Sequence, residues 1–361
     1  MSSGNPDLPY WLAFARCLKL GPKGFALLRA GFPTMAQAWQ AGASELKRAG
    51  LEQPLVNAII EHRQRTDVAA SQAAIDKLGL EVVTITDDRY PKLLKEIYDP
   101  PAVLFVRGDI TILAGLCLAI VGSRQATSYG LTTTKEIVSP LARAGAVIIS
   151  GLAYGIDAAA HRAAIEVGGK TVAVMASGLD QVYPSANHRL AQDIINGGGL
   201  WLSEFPPQTA PLKQNFPFRN RIIAGLCQGT VVIEAAKRSG ALLTAKHALE
   251  ANREVFAVPG NASSPLSAGT NELLKQGAHL VTTSDDVLIV FGLTATATAP
   301  RLPLEPRLQG LLEQLPREPT HLDTLVRQLN LPASSLTADL TLLELKGYIQ
   351  DVGGQHYQRL P

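Results

Sequence analysis

Lys213, Phe216, Arg219, Asn220 and Arg221 fall within the stretch KQNFPFRNR, and no Asp or Glu occurs from Phe205 through Ile233. Cations that follow a phosphate backbone, with a ring on which a base can stack, are what a single strand of nucleic acid requires. Such stacking is worth about 1–3 kcal/mol per base. Some of these groups also have a structural use. Phe218 is expected in the core and Arg221 in part in an ion pair with Glu204 or Glu234, whereas Lys213, Phe216 and Arg219 are expected at the surface.

Other loops add to this chemistry. GSRQATSYG (Gly122 to Gly130), SGLAYGID (Ser150 to Asp157) and SGLDQVYP (Ser177 to Pro184) each follow an apolar run. Glycines let backbone approach a ligand closely, and a following helix offers unpaired amides with a favourable dipole. Arg124 adds a guanidinium able to fork onto a phosphate. The loops therefore predict an anion-binding edge that includes Gly122, Ser123, Arg124, Gly151 and Gly155. No G-x-G-x-x-G follows Val121 and no Walker A lysine pattern occurs, so the edge is not a standard dinucleotide or ATP pocket.

Ser123, Ser150, Ser177, Asp157 and His161 are the residue types of a hydrolase, but no G-x-S-x-G elbow is present. His161 lies in AAAHRAAIEVG, an amphipathic helix, and reads as the partner of a nearby carboxylate. Asp157 reads as a helix cap or as the orienter of its glycine loop. The seven histidines have no metal-ligand spacing, and Cys17, Cys117 and Cys227 form no C-x-x-C. No catalytic set, metal or cofactor is expected.

The loops need elements to hold them. Strands are predicted at Cys117–Val121, Ala146–Ser150, Thr171–Ser177, Leu200–Ser203, Thr230–Ile233, Val255–Val258 and His279–Val281, with helices between them. That alternation is the signature of a doubly wound α/β domain with a mostly parallel sheet covered on both faces. Ligands of such sheets bind outside the carboxyl ends of the strands, where these loops gather. Residues 1–78 read as a small helical domain, in which LKLGPKGFALLRAGF is similar to a helix-hairpin-helix or sterile-alpha element. Residues 79–292 form the α/β core, 293–306 an Ala/Thr/Pro-rich linker, and 307–361 a winged-helix-like domain of helices and a hairpin around Gly353-Gly354. Its segment SSLTADLTLLELKG carries Asp339 and Glu344 with one Lys, which argues against strong groove binding.

At 361 residues, two or three domains are expected. A net charge of +2 is too small to attract nucleic acid globally, so any anion site is a local arrangement. The N-terminus has no basic region followed by an apolar run, and the apolar run Ile112–Val121 is too short to span a bilayer. A cytoplasmic protein without membrane insertion is expected.

In VGSR, SGLAYGIDAAAH, GLDQVYPSANHRL, LSEFPP, FPFRNRIIAGL, GTVVIEAAKRSGALLTA, FAVPG and GTNELLKQGA, the chain resembles the DNA-processing protein A family, DprA or Smf. The resemblance implies an extended Rossmann fold that dimerises as a homodimer. It also implies sequence-independent binding and protection of incoming single-stranded DNA in natural transformation, and loading of the RecA recombinase. Carried over by position, the pocket would use Ser123, Arg124, Lys213, Phe216 for stacking, and Arg219, Asn220 and Arg221, with Gly151, Gly155 and Asp157 in the neighbouring loop. A basic group near the YPxxN segment would have to be His188 or Arg189. GTVVIEA with SGALLTA is also similar to nucleotide-cleaving, lysine-decarboxylase-like phosphoribohydrolases. Here Gly229, Thr230 and Glu234 match, but the preceding Pro-Gly-Gly is missing.

Overall fold

Apolar residues at helical spacing near the start of the chain form α1 (Leu8–Ala15), α2 (Gly21–Gly31), α3 (Met35–Gln40), α4 (Ala43–Arg48), α5 (Gln53–Arg65) and α6 (Val68–Lys77). These are followed by β1 (Glu81–Thr84), α7 (Lys92–Lys95), β2 (Val103–Gly108), β3 (Cys117–Val121), α8 (Ser128–Arg143), β4 (Val147–Ser150), α9 (Ile156–Glu166) and β5 (Thr171–Val174). Then come α10 (His188–Asn196), β6 (Leu200–Ser203), α11 (Asn215–Gly225), β7 (Gly229–Val232), α12 (Gly240–Glu250), β8 (Glu254–Ala257), α13 (Ala268–Lys275), β9 (His279–Leu280) and α14 (Ser284–Leu288). This computed structural model describes residues 6–293, 304–316, 318, 320–346, 348–351 and 353–359. The expected linker over 293–306 falls largely outside the described residues.

The strands form one sheet in the order β1-β2-β6-β5-β4-β3-β7-β8-β9. From β6 to β9 every pairing is parallel, while β2 runs antiparallel to both β6 and β1. The sequence reading did not foresee β1 and β2, which widen the sheet beyond the seven expected strands. The remaining strands start and end close to the expected positions.

β3 shows why a continuous apolar run suits this position. Cys117, Ala119 and Val121 enter one core with α11 and α12, while the alternate Leu118 and Ile120 enter a second core with α8, α9 and α14. Each fully buried aliphatic side chain contributes about 1.5–3 kcal/mol, so both faces favour the same strand. The first core continues without a break from Trp11 in α1 to Leu273 in α13, and so joins the N-terminal helices to the sheet.

The chain separates into two units, Met1–Thr296 and Ala297–Pro361. In the second, α15 (Pro306–Gln314), α16 (Leu322–Leu329) and α17 (Ala333–Leu345) pack with a three-stranded sheet of order β10-β12-β11. Its strands are β10 (Thr320–His321), β11 (Ile349–Asp351) and β12 (His356–Arg359), the last two forming the expected hairpin. Leu308, Leu325, Leu336, Leu340 and Leu343 form its core, and Asp339 is paired with Arg307.

The functional part of the fold is the point where strand order reverses. β3 leads through α8 on one face to β4, whereas its neighbour β7 leads through α12 on the other face to β8. The loops after β3 and β7 diverge there and leave a crevice at the carboxyl ends of the strands.

Candidate nucleic-acid interface

A cavity of about 730 Å³ occupies that crevice. Its walls include Gly122, Ser123 and Arg124 after β3, Asp157 of α9, Lys213, Phe216, Arg219 and Asn220 at α11, and Ser239, Gly240 and Thr244 at α12. The structure thus brings together the two groups the sequence singled out, although 89 residues separate Arg124 from Lys213. Gly151 and Gly155 lie in the loop beneath, and Arg221 points elsewhere.

Phe216 is the centre of the cavity's chemistry. Arg124 Cζ lies 5.1 Å and Arg219 Cζ 5.8 Å from its ring centroid, and the Tyr183 ring lies 5.7 Å away at a 59° tilt. A half-buried ring flanked by cations and a second ring can present a π-face to a base while the cations meet phosphates. Lys213 and Arg124 are exposed at the rim. Sequence reasoning missed Tyr183; its only signal was an aromatic in the loop after β5, on the same edge as the glycine loops. His188 and Arg189 are exposed outside the cavity lining.

Arg219 corrects the expectation of a surface cation, because it is only 3% exposed. Its Nη1 donates to the carbonyls of Gly151 at 2.7 Å and Val174 at 2.5 Å, and Nε donates to Asn220 Oδ1 at 3.2 Å. Burial lowers its guanidinium pKa to about 10, with Asp157 opposing the shift and Arg124 adding to it. It remains a cation at neutral pH, placed behind Phe216 and beneath the glycine loop. Asn220 also donates to Gly240 O at 3.2 Å, so it links α11 to the start of α12.

Arg221 is 4% exposed and faces the opposite side of α11. It pairs with Glu204, bonds the Asp99 carbonyl at 2.8 Å and lies 3.2 Å from the Asp99 carboxylate. Burial raises the Glu204 pKa, and Arg221 pulls it back. The expected ion pair therefore forms with Glu204, and Arg221 does not line the cavity. Phe218 is a second correction: the ring expected in the core is 58% exposed.

The helix ends also differ from expectation. Glu234 accepts from Thr127 N at 3.0 Å and from Thr127 Oγ1 at 2.5 Å, so the chain's own carboxylate sits at the start of α8. Asp157 Oδ2 accepts from Gly151 N at 3.1 Å and Ala153 N at 3.3 Å, and orients the glycine loop ahead of α9. Burial raises its pKa, while Arg219 and these amides act against the rise. The amides of Thr127, Gly151 and Ala153 are thus taken by the chain's own carboxylates, while Arg124 and Lys213 present exposed cations at the cavity rim.

Ser150 lies beside Asp157, but the hydrogen bonds of the described residues do not join His161 to either in a relay. Ser150 Oγ donates to Ile120 O at 2.6 Å, away from His161. His161 is fully buried, and its Nδ1 lies 2.7 Å from Thr171 Oγ1, which donates its own proton to Ile148 O at 2.6 Å. Nδ1 is therefore the donor, and the partner is a hydroxyl rather than the expected carboxylate. Burial, with help from Arg219 and Arg162, lowers the imidazole pKa to about 3. Among the described residues no cluster of His, Cys, Asp and Glu could hold a metal, and no helix is long and apolar enough to cross a membrane.

The family model for DNA recombination-mediator protein A matches residues 81–292, and that for the DprA winged helix domain matches residues 295–355. The chain is 50% identical over 208 residues to DNA processing protein DprA of Streptococcus pneumoniae, covering 58% of this chain and 73% of the relative. It is 39% identical over 300 residues to protein Smf of Escherichia coli, covering 80% of each. The X-ray structure of the S. pneumoniae protein superposes with a TM-score of 0.64 at 39% identity, over 74% of this chain and 97% of that one. A structure of DNA processing protein A from Helicobacter pylori, described for its single-stranded DNA binding mode, superposes with a TM-score of 0.54 at 30% identity. It covers 60% of this chain and 97% of its own.

Proposed function

Because the chain belongs to the DNA recombination-mediator protein A family, we propose that its crevice binds single-stranded DNA without strong sequence preference. The observation that carries this reading is the Phe216 ring, set between Arg124 and Arg219 in a cavity with Lys213 on its rim. Phosphates meet Arg124 and Lys213, and a base stacks at Phe216. Neither contact reads a base edge, so discrimination among bases is slight.

The finer reading has family membership as its support. In it, the protein protects incoming single strands in the cytoplasm during natural transformation and loads RecA onto them, acting as a binder rather than an enzyme. One cavity holds few nucleotides, so a homodimer would gain affinity by placing two cavities on one strand. Exposed Leu280 on the edge strand β9, with Ile289 and Val290 beyond α14, supports a dimer face there. Near it on α13, Glu272, Lys275 and Gln276 are exposed, whereas Leu273 is buried.

The test is a fluorescence-anisotropy titration of the wild type, Phe216→Ala and Arg124→Ala with labelled single-stranded and duplex DNA at two salt concentrations. Salt-sensitive single-strand binding that both variants lose is the expected result. Variants that bind as the wild type does would remove the cavity from consideration and turn attention to nucleoside-monophosphate hydrolysis.

A further inference from the structure

Phe218 is the only one of the nine phenylalanines with an exposed side chain, and it stands on the helix that supplies Phe216. Two residues apart on a helix, the rings point about 200° from one another, so Phe216 enters the cavity while Phe218 leaves it. Gln214, Pro217 and Phe218 share one face of the first turn of α11, and all are exposed. Lys213 and the half-exposed Leu212 lead directly into that face. Pro217 and Lys213 also line the cavity, so the outer shelf and the cavity meet along one rim.

Phe218 does not stand alone: with the half-exposed Leu212 and the exposed Pro217 it makes a contiguous apolar shelf that adjoins the cavity rim, the kind of surface that takes a ligand. The nearby composition decides what. The chain from Phe205 through Ile233 contains no carboxylate, while Lys213 is exposed at the rim, which suits a polyanion leaving the cavity better than an apolar protein surface. We propose that Phe218 is a second base-stacking platform, which holds a nucleotide of the strand just outside the cavity. The platform presupposes that the cavity binds single-stranded DNA. It makes the contact surface longer than the cavity and gives longer strands an additional anchor.

Oligothymidylates of about 4 and about 20 nucleotides, the first short enough to be held by the cavity alone, separate the two contacts. Full-length Phe218→Ala should bind the short strand as the wild type does and the long strand about fivefold or more weakly. Phe218→Leu keeps the apolar bulk without the π-face and should behave as the alanine variant, whereas Phe218→Trp should restore long-strand affinity. A leucine variant equal to the wild type, or an alanine variant unchanged on the long strand, would overturn the platform. Arg124→Ala run in parallel should weaken both strands. If it weakens neither, the cavity reading fails and the platform falls with it; if it weakens both while Phe218→Ala changes nothing, only the platform fails.

Discussion

Arg219 and Asp157 hold the same glycine from opposite sides. The guanidinium donates to the Gly151 carbonyl at 2.7 Å, and the carboxylate accepts from the Gly151 amide at 3.1 Å. Cation, glycine and anion make a buried series in which the two charges grip successive peptide groups, one on each side of the Gly151 α-carbon.

Gly151→Ala tests how closely that series is packed. A β-carbon there would fall on the Arg219 guanidinium, which two carbonyls already fix. Overpacking of this kind costs about 1–3 kcal/mol. Urea unfolding should show that loss, and titration of the folded protein should show weaker single-strand binding because Arg219 is displaced from behind Phe216.

Arg219→Met removes the cation and leaves Asp157 buried without its opposing charge. It also leaves the Gly151 and Val174 carbonyls without their donor, and the expected cost is about 1–3 kcal/mol, the range for leaving a buried hydrogen-bonding group unsatisfied. Adding Asp157→Asn to the same chain should recover part of the loss in urea unfolding; strictly additive losses would show that the two charges are not coupled.

Arg221→Met should also destabilise, by about 3–5 kcal/mol, since it strands Glu204 and Asp99. Its effect on DNA should differ from that of Arg219. At a temperature where the variant is fully folded, single-strand affinity should match the wild type, and a specific loss would place Arg221 in the binding surface after all.

Arg124→Ala and Lys213→Ala should leave unfolding free energy within about 0.5 kcal/mol, as both side chains are exposed. Each should lower the slope of log affinity against log salt by about one unit, the signature of one lost phosphate contact. An unchanged slope in either variant would free that residue from the phosphate path.

His161 predicts an acid-sensitive stability. Its pKa is about 3 when folded, against 6.5 for a free imidazole, so protonation favours the unfolded chain. Its contribution is complete above about pH 6.5 and is lost as pH falls toward 3, amounting to about 2 kcal/mol by pH 5. The raised pKa values of Asp157 and Glu204 act in the opposite sense in acid, so the quantity to measure is the difference between the wild type and His161→Gln. Equal pH dependence in the two would contradict the buried neutral imidazole.

The parallel strands were legible because a strand buried on both faces reads as an unbroken apolar run, as CLAIV does in β3. The glycine loops were legible as loops, and their position at one edge followed from the α/β alternation. The antiparallel β1 and β2 were not foreseen, although EVVT and VLFVRG carry β-branched and aromatic residues. Arg219 could not be assigned from sequence because its burial depends on two carbonyls, of Gly151 and Val174, that only the folded sheet brings together. Phe218 was misplaced for a related reason: in a helix with apolar residues on both faces, periodicity does not say which face is covered.

Glu234 and Asp157 have a further effect through the helix ends they occupy. A free nucleotide gains most of its hold on a Rossmann-like edge from loop amides and a helix N-terminus gripping one compact polyphosphate. Here a resident carboxylate stands at each of those two positions. A polymer is less affected, because it spreads its charge along a rim of separate cations. If the crevice takes single strands as proposed, a mononucleotide such as ATP should therefore displace a bound strand poorly, which a competition titration would read.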